Sequence, residues 1–279
     1  MGDSLAGQAG LITGGGSGIG LACARHLVRD GASVTLMGRS KDRLKAAADA
    51  LATDVSGDAK VQIVAGDASS EEDMATAVES ASTVTGALQL VVASAGTGTM
   101  GPVVATSMSE WERVLNVNLT GTFLTIKHAA PALARGGGGS IVAISSIAGP
   151  LTHPYMAPYS VSKAGIETLV RNAADELGRA GVRVNAVRPG LVPTELADPL
   201  VSDERVRADY LAQMPLHRLG TVDDIAAGVR YLLGPESSWV TGQILAIDGG
   251  HTLRRGPDIE HWARAMYGDA VVDVAAESG

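Results

Sequence analysis

The sequence predicts an α/β fold: a single doubly wound domain on a mostly parallel seven-stranded sheet, with helices on both faces. Three observations predict it. Short β-rich runs alternate with helical patterns along the 279-residue chain. The β-rich runs are continuously apolar, which is how strands buried on both faces read. The first of them runs into a glycine-rich turn that opens a helix.

Strand one is expected over 9–13, and the helix after the glycine loop runs through Leu27. Residues 33–37 read as strand two and 41–51 as the next helix. Strand three follows over 61–65, a helix over 71–84 and strand four over 88–93. A long helical region covers 109–133, and the glycine run 136–139 ends it. Residues 140–144 read as strand five, 158–179 as a helix and 182–187 as strand six. A helix over 222–233 and strand seven over 243–247 complete the pattern. Such repeated β-α alternation implies right-handed crossovers. Two segments lack a regular pattern, 190–217 and 252–279. No linker-like shift and no fixed repeat divides the chain. Residues 1–251 are therefore expected to form one domain, with 190–217 as its lid and 252–279 as a C-terminal extension.

Composition excludes several classes. Acidic residues outnumber basic ones 30 to 22, a net charge of −8, which argues against a basic face for nucleic acid or anionic lipid. Nine aromatics are too few for a platform that stacks single-stranded bases. A chain 46% hydrophobic and 19% charged is not disordered. Cys23, the only cysteine, leaves no internal disulfide or thiolate metal cluster. No stretch approaches about eighteen apolar residues, so no membrane span is expected. No signal peptide is visible, and Ala6 stands where a myristoylation signal needs Ser or Thr. The expected location is cytoplasmic.

The loop Thr13-Gly14-Gly15-Gly16-Ser17-Gly18-Ile19-Gly20 lies between strand one and its helix. Glycines let the backbone turn tightly and approach a pyrophosphate, which the helix N-terminus attracts. The spacing departs from G-x-G-x-x-G, because Leu21 stands where the last glycine would fall. Tight strand–helix packing is the other reading of such a loop. On a dinucleotide-binding Rossmann fold, about twenty residues further on lies the group that reads the adenosine ribose. An acid there would repel a 2′-phosphate. Here the strand ends Met37-Gly38-Arg39-Ser40, without an acid. Arg39 is suited to pair with a phosphate, or it is an exposed loop arginine opposite Asp42. The missing acid favours NADP(H), with NAD(H) the alternative.

In Tyr159-Ser160-Val161-Ser162-Lys163, Tyr159 and Lys163 stand at i and i+4, on one helix face. A free phenol ionises near about 10, too high for proton exchange at neutrality. Lowering it by about three units requires roughly 4 kcal/mol. One ammonium at about 4 Å supplies that much at an effective dielectric near about 20. Proline favours the first helical position, so Pro158 puts Tyr159 in the first turn, where the helix dipole favours phenolate. Lys163 is the larger expected contribution.

Further motifs stand in order around this pair. They are Val117-Asn118-Leu119-Thr120-Gly121, then Ser145-Ser146, with Ser146 thirteen residues before Tyr159. Arg188-Pro189-Gly190 follows strand six and Asp248-Gly249-Gly250 follows strand seven. On these residues the chain resembles the short-chain dehydrogenase/reductase family, including its 3-oxoacyl-ACP reductase-like members, over residues 7–251. The resemblance implies an NAD(P)-dependent oxidoreductase acting on a carbonyl or alcohol. It makes Tyr159 the general acid/base and has Ser146 hold the substrate oxygen. Lys163 would also bind the nicotinamide ribose, and Asn118 would support a water-linked proton path. Gly14, Ser17, Gly18, Ile19 and Gly20 would hold the cofactor with Arg39, Asp67 and Ala68. Ser94, Ala95 and Gly96 would line it, and Pro189, Gly190, Val192 and Thr194 would face the nicotinamide. Only the family spacing prefers Ser146 to Ser145, or Asn118 to Asn116. A homotetramer is implied, with 109–133 and 158–179 at its interfaces.

Relatives carry Asn-Ala-Gly where this chain has Ser94-Ala95-Gly96, and a local rearrangement is expected there. The tail carries Arg254, Arg255, Trp262 and Tyr267; it either docks or is a disordered terminus. Cys23 is expected to be packed rather than reactive. The histidines show no metal-ligand spacing, so no catalytic metal is expected. His153 and Tyr155 either line the substrate site or fill a loop, and Trp111 and Phe123 fit helix packing. The apolar residues of 190–217 suit a mobile cover or a fixed pair of short helices, and in either case an apolar substrate. A non-catalytic nucleotide-binding regulator would keep the glycine loop and lose the Tyr159–Lys163 pair. A sugar epimerase or dehydratase would usually need a larger separate substrate region.

Overall fold

The computed structural model describes residues 4–254, 257 and 259–273. All seven strands pair in parallel, in the order β3-β2-β1-β4-β5-β6-β7. They are β1 Ala9–Thr13, β2 Ser33–Gly38, β3 Val61–Ala65, β4 Leu90–Ala93, β5 Gly139–Ile144, β6 Val182–Pro189 and β7 Ile244–Ile247. The order reverses between β1 and β4, so a crevice opens beyond the carboxyl ends of these two strands. Helices α1 Gly18–Arg29, α2 Lys41–Leu51 and α3 Glu71–Thr83 follow the first three strands. Helices α4 Met108–Leu115 and α5 Gly121–Arg135 precede β5, and α6 Ala157–Leu177 follows it.

Two apolar layers hold the sheet. One contains Leu27, Leu36, Leu44 and Val229; the other contains Leu11, Met74, Leu133 and Val170. Strands β1, β2, β4, β5 and β6 are buried on both faces, as their apolar pattern predicts, whereas the edge strands β3 and β7 are partly exposed. Cys23 lies in the first layer, and burial pushes its thiol up to about 12, which leaves it protonated and inert. Among the described residues, no helix is long and apolar enough to cross a membrane.

Three sequence expectations change. The helical region 109–133 is not one α-helix, because Asn116–Thr120 forms a π-turn between α4 and α5. Its consequence is local: it turns Asn118 inward, fully buried. Phe123 packs against nothing comparable and is 46% exposed on α5. Segment 190–217 is not irregular but forms α7 Asp198–Ser202 and α8 Glu204–Gln213. Asp203 caps α8 by accepting from the Val206 amide at 2.9 Å, which starts a helix that interleaved charges conceal. Helix α9 Val222–Leu233 leads back to β7, opened by a Thr221/Asp224 capping box.

The tail is docked over its described part. Helices α10 Glu260–Tyr267 and α11 Asp269–Val272 follow β7. Ile259 joins Ile147, Leu191, Val206, Tyr210 and Met214 in a third apolar cluster beneath the lid. Arg255 lies outside the described residues.

Candidate active site

One cleft of about 1490 Å³ opens at the carboxyl edge of the sheet. At its floor the glycine loop makes close approaches that only glycine permits. Gly14 has φ +65, and a Cβ there would fall 2.9 Å from the Ala95 amide. A Cβ at Gly20 would fall 2.4 Å from the Gly14 carbonyl oxygen. Gly20 therefore serves packing of α1 against its own loop and does not line the cleft, whereas Gly14, Ser17, Gly18 and Ile19 do. Ser40, Ser70, Ser107, Asp203 and Thr221 cap their helices through side chains, but Ser17 makes no such bond. The first amides of α1 thus face the cleft without a side-chain partner.

At the adenosine end, Arg39 is exposed on the rim and makes no ion pair among the described residues, with Asp42 or any other. Arg43, a turn further on, pairs with Glu195 of the lid segment at 2.7 Å. Burial raises the Asp67 carboxyl, but the Ser69 hydroxyl and amide and the Arg39 charge outweigh this and hold it below its ordinary value. Ala68 lines the same wall.

Ser94, Ala95 and Gly96 end β4 on the cleft floor. The Thr13 hydroxyl accepts from the Ser94 amide at 3.1 Å and the Ala95 amide at 3.2 Å. A hydroxyl at the end of β1 thus ties the two strand ends together where Ser94 replaces an amide side chain. Sequence reasoning missed it, although Thr13 opens the glycine motif.

Asn118 does not reach the cleft. Its Oδ1 accepts from the Thr97 amide at 2.7 Å, and its Nδ2 donates to the Thr97 carbonyl and the Ser162 hydroxyl, each at 3.0 Å. Ser162 donates to the Tyr159 carbonyl at 2.6 Å. Asn118 therefore braces the loop after β4 against the first turn of α6. Asn116 stays on the outside, near Thr120.

Tyr159 occupies the first turn of α6, which begins at Ala157, so Pro158 is its second rather than first residue. Ser146 faces the phenol across the cleft, whereas Ser145 donates to Glu167 at 3.0 Å behind it. Lys163 is buried, donates to the Ile144 carbonyl at 2.8 Å, and lies 5.5 Å from the Tyr159 ring centroid. Burial pushes the phenol up from its ordinary value, and the Ser146 hydroxyl offsets part of the rise. Burial pulls the Lys163 ammonium down to about 8. The expected lowering of Tyr159 by Lys163 is thus corrected. The cation stands over the ring face, is committed to a backbone carbonyl and is itself weakened, so desolvation prevails.

Pro189, Gly190, Val192 and Thr194 form the opposite wall. A Cβ at Gly190 would lie 2.8 Å from the Asp248 Cα, and one at Gly18 would lie 3.4 Å from the Thr194 methyl. Glu167, one turn beyond Lys163, holds Arg188 through two 2.6 Å bonds. That ion pair joins α6 to the strand end carrying Pro189, and no spacing or motif marks Glu167 as its partner. His153 lines the cleft, with burial lowering its pKa, while Tyr155 packs beneath the lid with φ +66. Tyr210 of α8 and Trp262 of α10 also line the cleft and were not foreseen.

These features fit a dinucleotide. The glycine cradle admits a pyrophosphate against the open N-terminus of α1, and the pair Asp67 and Arg39 flanks an adenosine pocket. A cleft at the switch point of a parallel sheet is the place where doubly wound folds bind their ligands. Comparisons with known proteins agree. A family profile described as Enoyl-(Acyl carrier protein) reductase matches residues 14–252. 2-(S)-Hydroxypropyl-CoM dehydrogenase 3 of Xanthobacter autotrophicus is 37% identical over 90% of this chain and 99% of its own length. Cis-4-hydroxycyclohexanecarboxylate dehydrogenase of Sinomonas cyclohexanicum is 35% identical, over 90% and 99%. The structure of a short-chain type dehydrogenase/reductase from Mycobacterium ulcerans superposes with a TM-score of 0.90 at 39% identity, over 95% of this chain and 97% of that one. The chain belongs to the short-chain dehydrogenase/reductase family, whose members use NAD(P)(H) to act on alcohol and carbonyl groups.

Proposed function

We propose that this enzyme interconverts an apolar secondary alcohol and its ketone, with Tyr159 as general acid/base and NADP(H) as the preferred cofactor. The observation that carries the reading is the convergence of Tyr159, Ser146 and Lys163 on one cleft that also holds the glycine cradle. The bound nicotinamide supplies or accepts the hydride. In alcohol oxidation the Tyr159 phenolate takes the hydroxyl proton; in reduction the phenol returns it to the carbonyl oxygen. Ser146 donates to that oxygen and fixes its distance from Tyr159. Lys163, buried beside the Tyr159 ring, would bind the nicotinamide ribose, and Asn118 acts as a positioning residue through Thr97 and Ser162. Arg39, exposed on the rim and in no close ion pair among the described residues, would pair with a 2′-phosphate. The substrates in the names of both relatives are secondary alcohols, which supports the alcohol–ketone chemistry; the apolar class rests on this chain's own cleft lining.

A homotetramer in the cytosol completes the reading, supported by the exposed Phe123 on α5 and Val161 on α6, each 46% exposed. The test is a panel of secondary alcohols and ketones with NADPH and NADH, followed at the nicotinamide absorbance. Turnover of apolar members, fastest with the phosphorylated cofactor, is expected. No turnover of any alcohol or ketone would reject the function.

A further inference from the structure

The family profile ends at residue 252, yet the chain continues into α10, and α10 covers the end of the cleft beyond Tyr159. Ile259, Trp262, Ala265 and Met266 contribute to the cleft wall. Ile259 is 2% exposed and Ala263 is fully buried, so one face of the helix is seated. Its two ends are fastened to opposite lips. The Tyr267 hydroxyl donates to the Met100 carbonyl at 2.8 Å, on the loop after β4. The Trp262 indole N–H donates to Asp203, the carboxylate that caps α8. Gly101 shows how close the first contact is, because a Cβ there would fall 2.5 Å from the Tyr267 hydroxyl.

The chemistry of this end of the cleft is equally restrictive. Among the described lining residues the cations are Arg39 and Arg43, at the adenosine end, and Lys163. The charged group at the α10 end is Asp203. Hydrogen bonds from the Val206 amide and Trp262, with the nearby His261, outweigh burial and hold its carboxyl down to about 2, so it is ionised at neutrality. An anionic group on a substrate would meet a carboxylate there and no described cation.

We infer that α10 is a latched wall that sets an upper limit on substrate size and selects compact, uncharged secondary alcohols and ketones over long-chain or anionic ones. This rests on the proposed oxidoreductase reading and deepens it. A seated wall excludes larger substrates sterically, and each methylene that a pocket cannot admit changes specificity by about tenfold or more. Tyr267 and Gly101 control the wall from outside the reacting groups, so they test it without touching the chemistry.

The experiment measures kcat/KM for cyclohexanone, 2-dodecanone and acetoacetyl-CoA in the full-length wild type and in Gly101→Ala, Tyr267→Phe and Met266→Gly. The wild type is expected to prefer cyclohexanone over both others. Gly101→Ala should displace the Tyr267 ring and raise the ratio of 2-dodecanone to cyclohexanone by about tenfold. Met266→Gly should do the same by opening the wall itself, and Tyr267→Phe should give a smaller change of the same sign. Cyclohexanone turnover should stay within severalfold in Gly101→Ala and Tyr267→Phe, which also reports that they fold. Turnover of cyclohexanone with unchanged ratios in every variant would overturn the wall and leave the oxidoreductase reading intact. A wild type that prefers acetoacetyl-CoA would overturn the selection against anions. No turnover of any ketone would overturn both readings.

Discussion

Lys163 carries the least favourable electrostatic position among the proposed catalytic groups, and its pH dependence follows from that. Burial lowers its pKa from 10.5 to about 8. Between these values the unfolded chain holds a proton that the folded chain has released, so stability rises with pH across that window. The shift corresponds to a gain on the order of 3 kcal/mol between pH 8 and 10.5. Urea unfolding of the cofactor-free wild type and Lys163→Met should show this gain only in the wild type. Parallel pH profiles would mean that the lysine is solvated. Arg39 makes a second prediction at this scale. Arg39→Ala should weaken NADPH binding by roughly ten- to a hundredfold and NADH binding far less, as loss of a charge-assisted contact of about 1.5–3 kcal/mol requires. Equal losses, read by titration of cofactor fluorescence, would show that Arg39 does not read the phosphate. The glycine loop and the i, i+4 pair Tyr159 and Lys163 were legible from their own spacing, whereas Ser146 rather than Ser145 was given only by the family resemblance. The protonation balance was not legible in the same way. A distance of about 4 Å between charge and phenol can be assumed from i and i+4 spacing, but burial of both partners depends on residues far away in sequence.

Two site-bearing elements, α6 and β6, are held together by Glu167 and Arg188. Glu167 is 4% exposed and its carboxylate also accepts from Ser145. Removing one partner strands a buried charge, so Glu167→Gln should cost about 3 kcal/mol of stability. The double variant Glu167→Leu/Arg188→Met should cost less than the single one. Urea titration checks both, and an unaltered midpoint in Glu167→Gln would show the pair to be immaterial. At this scale the strands were legible because buried parallel strands are continuous apolar runs. The π-turn at Asn116–Thr120 was not, since nothing in the run Asn-Val-Asn-Leu-Thr marks one extra residue in a helical turn, and only the burial of Asn118 shows it. Helices α7 and α8 escaped for a different reason. Their charges fall on several faces, so no apolar stripe marks them, and only the Asp203 cap and the buried Val206, Tyr210 and Met214 show how α8 is seated.

At the scale of the whole molecule, the fold delivers the ends of β1 to β6 and the first turn of α6 to a single cleft, and the tail lines one end of it. The tail's docking was one of two open expectations, because its apolar residues are sparse and their partners, Met100 and Asp203, lie far away in sequence. Phe123 and Val161 remain outward on α5 and α6, and burying them between copies of the chain accounts for both. Light scattering should therefore give a tetramer at micromolar concentration, and a monomer would contradict the proposed assembly. On the proposed function Tyr159 transfers the proton, while other residues of the same cleft hold the cofactor. Tyr159→Phe tests it most directly, because it removes one oxygen and leaves the ring packed. Turnover of the best ketone should fall by about a thousandfold or more, within reach of the loss expected for a general acid/base. NADPH affinity should stay within severalfold. Near-normal turnover in Tyr159→Phe would contradict the account.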